Sequence, residues 1–153
     1  MTERRKTAPI LTAFWDTSAI VPLCCFQPTS SKARQLARSY GRLVVWWVTP
    51  VETVSALQRL LRDGHVTSFE LTQSLTRLDY LRTRWNEVQP SEDLRDRAQR
   101  LLRTHKLRAA DALQLSAALS WCDNRPRERV FITADEMLAL AAEVEGFRVL
   151  NCE

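Results

Sequence analysis

Apolar positions along the chain fall into two kinds of run. Leu43–Val48 (LVVWWV) is continuously apolar and rich in β-branched and aromatic residues, which suits a strand buried on both faces, as in a parallel sheet. Ile10–Trp15, Val130–Thr133 and Phe147–Leu150 are shorter runs of the same kind, and Asn86–Gln89, closed by Pro90, is a further short strand. Between them the apolar residues recur at helical spacing. Helices are predicted over Thr17–Phe26, Thr29 or Ser30 to Tyr40 (Ala33, Leu36, Ala37 and Tyr40 on one face), Thr49–Asp63, Thr67–Arg84, Ser91–Thr104, Ala109–Cys122 and Asp135–Glu143. Thr49-Pro50 reads as a cap followed by a first-turn proline, and Thr67-Ser-Phe-Glu70 as a capping box. Strands alternating with helices imply an α/β fold, a central mostly parallel sheet with helices on both faces.

The chain has 153 residues and no internal repeat or low-complexity segment, so one domain over residues 10–153 is expected, after a short basic tail at 1–9. That tail and Pro9–Phe14 faintly resemble a signal peptide, but Asp16 interrupts the apolar stretch too early. No apolar run reaches the roughly 18 residues of a membrane span. Three glycines are too few for an extended Gly-rich phosphate loop. The four cysteines, Cys24, Cys25, Cys122 and Cys152, form neither a C-x-x-C pair nor a zinc spacing, so they read as small core residues of a reduced, cytoplasmic protein. The net charge of +4 is a mild pointer to a polyanionic partner.

Acidic residues sit where chemistry is placed in such folds. Asp16 ends the first strand, and ligands bind at the carboxyl ends of strands in an open α/β sheet. Glu52 is in the first turn of the helix after Leu43–Val48, Asp111 is near the start of an apolar helix, and Asp135 follows Val130–Thr133. Each has a plainer reading: Asp16 and Asp135 as helix caps, Glu52 as part of a Thr49-x-x-Glu52 capping box, Asp111 as a first-turn acid complementing the helix dipole. Against the last stands the apparent burial of Ala109, Ala110 and Ala112 around Asp111. Converging carboxylates repel one another and hold protons unless a cation neutralises them, and Mg²⁺ or Mn²⁺ with oxygen ligands is the usual means of hydrolysing a phosphodiester.

The segments Asp16-Thr-Ser-Ala19, Thr49-x-x-Glu52, Ala109-Ala-Asp-Ala-Leu-Gln-Leu-Ser-Ala-Ala118 and Phe131-Ile-Thr-Ala-Asp135, in this order, resemble the PIN-domain ribonucleases, most of all the VapC toxins of toxin–antitoxin pairs. The resemblance spans residues 10 to 150. It implies a single PIN-like domain acting as a Mg²⁺- or Mn²⁺-dependent endoribonuclease, with Asp16, Glu52, Asp111 and Asp135 as the acidic set. By the same resemblance Asp16 and Asp111 bind the cation most directly, Glu52 and Asp135 act partly through water on it, and Asp135 belongs to the metal set. Thr17, Ser18 and Thr133 match positions where the family often carries a supporting hydroxyl. Glu136 follows Asp135 directly, leaving the fourth acidic role open between them. The resemblance also implies a homodimer and inhibition by a small antitoxin.

Arg95, Arg97, Arg100, Arg103, Lys106 and Arg108 lead up to Asp111; Lys106 and Arg108, nearest to it, are the candidate RNA contacts, with Arg59 and Arg62 weaker ones and the outer arginines read as a solvated face. His105 reads as a surface residue and the five tryptophans chiefly as core. Two other classes compete. One is a catalytically silent PIN module that binds RNA or protein. The other is an aspartyl-phosphate phosphatase, which expects an acid two residues after Asp16, where Ser18 stands.

Overall fold

The structure, a computed structural model, describes residues 8–153; most of the basic tail expected at 1–9 lies outside the described residues. Five parallel strands form one sheet: β1 (Thr12–Trp15), β2 (Arg42–Trp46), β3 (Asn86–Val88), β4 (Val130–Thr133) and β5 (Arg148–Asn151), in the order β3-β2-β1-β4-β5. Seven helices connect them: α1 (Thr17–Cys24), α2 (Ser30–Ser39), α3 (Thr49–Arg62), α4 (Ser68–Arg82), α5 (Glu92–Thr104), α6 (Ala109–Trp121) and α7 (Glu136–Glu145). The expected α/β architecture is the one found.

Residue alternation along the strands sends side chains to two cores. Phe14, Val44, Trp46 and Phe131 point to a core built with α5, α6 and α7, while Ala13, Trp15, Leu43, Val45, Val130 and Ile132 point to one built with α1, α2 and α4. Phe131 is fully buried and stacks on Phe14 with ring centroids 5.4 Å apart. Both cores being covered explains why β2 is apolar at successive positions, and β2 ends at Trp46 because Trp47 is half exposed. Gly41, between α2 and β2, is a spatial requirement: a Cβ there would lie 2.9 Å from the Ala37 carbonyl oxygen. Gly146 closes α7 in the left-handed region at φ 112°.

The predicted helix from Thr17 stops at Cys24, short of Phe26, as Cys25 turns to extended backbone and leaves Phe26 on the surface. Two cap readings divide. Thr67–Glu70 forms the full capping box, Thr67 Oγ1 accepting from the Glu70 amide and Glu70 Oε2 from the Thr67 amide. Thr49 does not cap. It is the first residue of α3, wholly buried, and Val48 holds the cap position without a side-chain bond. All four cysteines are free and buried. Among the described residues, no helix is long and apolar enough to cross a membrane.

Phe131→Ala should destabilise the domain by about 3–5 kcal/mol, because a stacked central side chain leaves a cavity. Thr67→Ala should cost about 1 kcal/mol through the missing cap. Equilibrium denaturant unfolding measures both, and similar costs for the two would contradict this division of core and cap.

Candidate functional site

The strand order reverses direction at β1: β2 lies on one side of it and β4 on the other. The crevice beyond the carboxyl ends of the strands at such a reversal is where open α/β sheets hold ligands. Asp16 and Asp135 leave the sheet there, directly after β1 and two residues past β4. A cleft at this place is lined by Asp16, Thr17, Ser18, Glu52, Arg59, Asp111, Gln114 and Asp135 among others. Four acids from four separate segments of the sequence thus share one hollow.

Asp16 is 3% exposed. Its Oδ1 accepts from the Ser18 hydroxyl at 2.7 Å and from the Ala19 amide at 3.3 Å, which caps α1. Ser18 in turn accepts from the Ala134 amide at 2.8 Å and lies 3.2 Å from Thr133 Oγ1. With the Ser18 proton committed to Asp16, the Thr133 hydroxyl is left to supply the proton between them. Thr133 Oγ1 also accepts from the Asp135 amide at 3.0 Å. The two hydroxyls therefore link the end of β1 to the end of β4. Asp135 caps α7, its Oδ1 accepting from the Leu138 amide at 2.8 Å. The capping reading of Asp16 and Asp135 is the one seen, and capping engages one carboxylate oxygen of each.

Glu52 and Asp111 come from helix first turns. The Thr49–Glu52 capping box is not formed. Glu52 Oε1 instead accepts from Gln114 Nε2 at 3.1 Å, and the same amide donates to Thr17 Oγ1 at 2.9 Å and Thr49 Oγ1 at 3.1 Å. Gln114 is 1% exposed and its Oε1 has no partner among the described residues. Sequence reasoning misses Gln114; the available signal is one amide in the otherwise apolar, small-residue run of α6. Ala109 and Ala110 are exposed, not buried as expected; Ala110 lines the cleft, and only Ala112 packs into the core. The apolar stretch before Asp111 lines a mouth, because α6 begins there.

Electrostatics follow from this crowding. Burial, above all, pushes the Asp16 carboxyl up to about 7; the nearby Ser18 and Thr133 hydroxyls and the Ala19 amide oppose this, and the Asp111 charge adds to it. Burial likewise raises Glu52, with the Gln114 hydrogen bond pulling the other way and Asp111 pushing up. Asp111 is raised by burial and by Asp135, and lowered by Arg108. Among the described residues, no three acidic, histidine or cysteine side chains close tightly enough to enclose an ion by themselves. The acids line a negative cleft that is not a finished cage.

A second hollow adjoins the first through Ala110, Asp111 and Asp135, and carries His105, Lys106, Leu107, Arg108 and Met137 on its walls. Lys106 and Arg108 are exposed there, as expected of candidate RNA contacts. The outer arginines are engaged elsewhere: Arg97 with the Ser116 and Ser120 side chains, Arg95 with Glu92, and Arg100 with Glu145. His105 is not the free surface residue expected. It is half-buried, 3.0 Å from Glu145. Glu136 is exposed and lines neither hollow, whereas Asp135 lines both.

No curated relative matches the sequence. Solved structures with the same fold include a toxin–antitoxin complex from Klebsiella pneumoniae (16% identity, 93% of this chain and 98% of that one, TM-score 0.63). Another is PAE2754 from Pyrobaculum aerophilum (16% identity, 91% and 89%, TM-score 0.61). A third is VapBC-1 from nontypeable Haemophilus influenzae (19% identity, 93% and 98%, TM-score 0.59). The PIN domain family matches residues 13–147, from the middle of β1 to the residue before β5. With that match and the sheet that carries it, this chain belongs to the PIN domain family.

Proposed function

We propose that the protein is a Mg²⁺- or Mn²⁺-dependent endoribonuclease, the toxin of a toxin–antitoxin pair. The observation that carries this reading is the convergence of Asp16, Glu52, Asp111 and Asp135 on one cleft beside exposed Lys106 and Arg108. The donor set fits a hard divalent cation. Its acids and hydroxyls offer oxygen ligands, and the acids repel one another. Mg²⁺ is commonly held by one or two carboxylates and several waters, which an open acidic cleft suits better than a closed cage. Asp16, Asp111 and Asp135 are the residues that would hold it. Such a cation, when bound, makes water more acidic and neutralises charge developing on a phosphate.

The chain's own residues do the rest. Ser18 and Thr133 orient Asp16, and Thr17 stands beside Gln114 at the head of α1. Lys106 and Arg108 bind backbone phosphates in the adjoining hollow. Glu52 accepts a proton from the attacking water. Attack forms a new P–O bond as the P–O3′ bond breaks, and the departing 3′ oxygen takes a proton from solvent, leaving a 5′-phosphate and a 3′-hydroxyl. Resemblance to complexes described as toxin–antitoxin pairs supports an antitoxin partner, and the exposed Phe26, Phe69, Met137, Leu140 and Val144 supply apolar surface for an antitoxin and a second copy of the chain. The silent-module reading has no specific observation in its favour, since all four acids line the cleft.

Purified protein should cleave total RNA with Mg²⁺ or Mn²⁺ and not with EDTA, and folded Asp16→Ala should lose nearly all of that activity and its growth arrest. Cleavage that persists in the variant would place the reaction elsewhere. Replacing Lys106 and Arg108 by Ala should weaken binding of single-stranded RNA and flatten its salt dependence, by about 0.7 in log–log slope for each phosphate no longer neutralised. An unchanged slope would remove both residues from the RNA path. The third outcome concerns stability. Asp16 holds its proton more tightly folded, at about 7, than unfolded, at 3.8. Its contribution is therefore complete below the lower value and disappears as pH rises through the upper one. Cation-free Asp16→Asn should melt several degrees above wild type at pH 8, with the gap closing towards pH 4. Equal melting at pH 8 would contradict the burial of an ionised Asp16.

A further inference from the structure

We propose that Gln114 is a positioning residue: its buried carboxamide clamps the first turns of α1 and α3 to α6 and so fixes Glu52 relative to Asp16 and Asp111. Three observations meet at this side chain. Its Nε2 lies 2.9 Å from Thr17 Oγ1, 3.1 Å from Thr49 Oγ1 and 3.1 Å from Glu52 Oε1. Thr17 is the residue after Asp16, Thr49 is one helical turn before Glu52, and Gln114 is one turn after Asp111 on the same helix face. One amide thus touches the segments that carry three of the four acids.

The orientation of the carboxamide follows from charge. Turned over, its oxygen would face the Glu52 carboxylate, so the nitrogen is the end that points there. Two N–H protons then serve three oxygens, while the buried Oε1 finds no partner among the described residues. A buried acceptor left unpaired lowers stability, so the group is poorly arranged for folding and well arranged for holding three segments together. Hydrogen bonds of this outer kind commonly set the geometry of acids at a cation site. Gln114 is almost wholly shielded from solvent and acts through Glu52. This inference rests on the nuclease reading for its catalytic consequence, though not for the clamp itself.

The test compares wild type with Gln114→Met, which keeps the side chain's length and removes its donors. The variant should remain folded by circular dichroism. Its kcat for RNA cleavage with Mn²⁺ should fall about 10- to 100-fold per folded molecule, with KM little changed. A wild-type kcat, a rise in KM alone, or a loss that only tracks the unfolded fraction overturns the proposal. The second measurement needs no catalysis. In ¹⁵N NMR of the wild type, the Gln114 side-chain amide should exchange slowly with water and move in Glu52→Gln. An amide that exchanges freely and ignores Glu52 overturns the clamp, including where the Met variant fails to fold. A wild type that cleaves no RNA overturns the nuclease reading, and the amide signal still decides the clamp.

Discussion

A carboxyl group buried at the end of the central strand is the constraint on which this molecule depends. Asp16 follows β1, the middle strand of the sheet, and is almost wholly removed from water. Its charged form is disfavoured there, and the surrounding chain is arranged to make the position tolerable. The Ala19 amide at the head of α1, the Ser18 hydroxyl and, behind it, Thr133 all converge on this one side chain or its support. Because Thr133 also holds the Asp135 amide, accommodating one acid positions a second.

The same economy runs through the other acids. Each comes from a helix's first turn or from its cap, where backbone amides already favour negative charge. Helix starts gathered at the carboxyl edge of a parallel sheet therefore deliver carboxylates to one place without a separate scaffold. What the helix dipoles do not provide is relief from mutual repulsion, and Glu52 and Asp111 both feel it. The cleft trades stability in the cation-free state for a strong demand for positive charge. That demand faces the exposed Lys106 and Arg108 in the adjoining hollow.

Strand alternation, the Thr67 capping box and the strand-end acids are legible in the sequence because each depends on local rules: period, cap chemistry and position relative to an apolar run. Thr49 misleads for a definable reason. A threonine before a proline and three residues ahead of a glutamate satisfies the local pattern of a cap, but Gln114, far along the chain, offers both Thr49 and Glu52 a competing donor. Ala109 and Ala110 mislead in the opposite direction, since alanines at a helix start read as core and here are exposed. His105 carries no local signal of its partner Glu145, which is 40 positions away.

The sequence by itself determined the α/β class, the parallel sheet and which acids stand at strand ends and helix starts, because hydrophobic period and residue type are properties of short segments. Only the tertiary structure decided how those acids relate. It put β1 between β2 and β4, joined Ser18 to Thr133, separated the outer arginines from the cleft, and placed one buried amide between three helix starts. These are contacts between residues tens of positions apart, and no local pattern specifies which distant partner a buried polar group will meet.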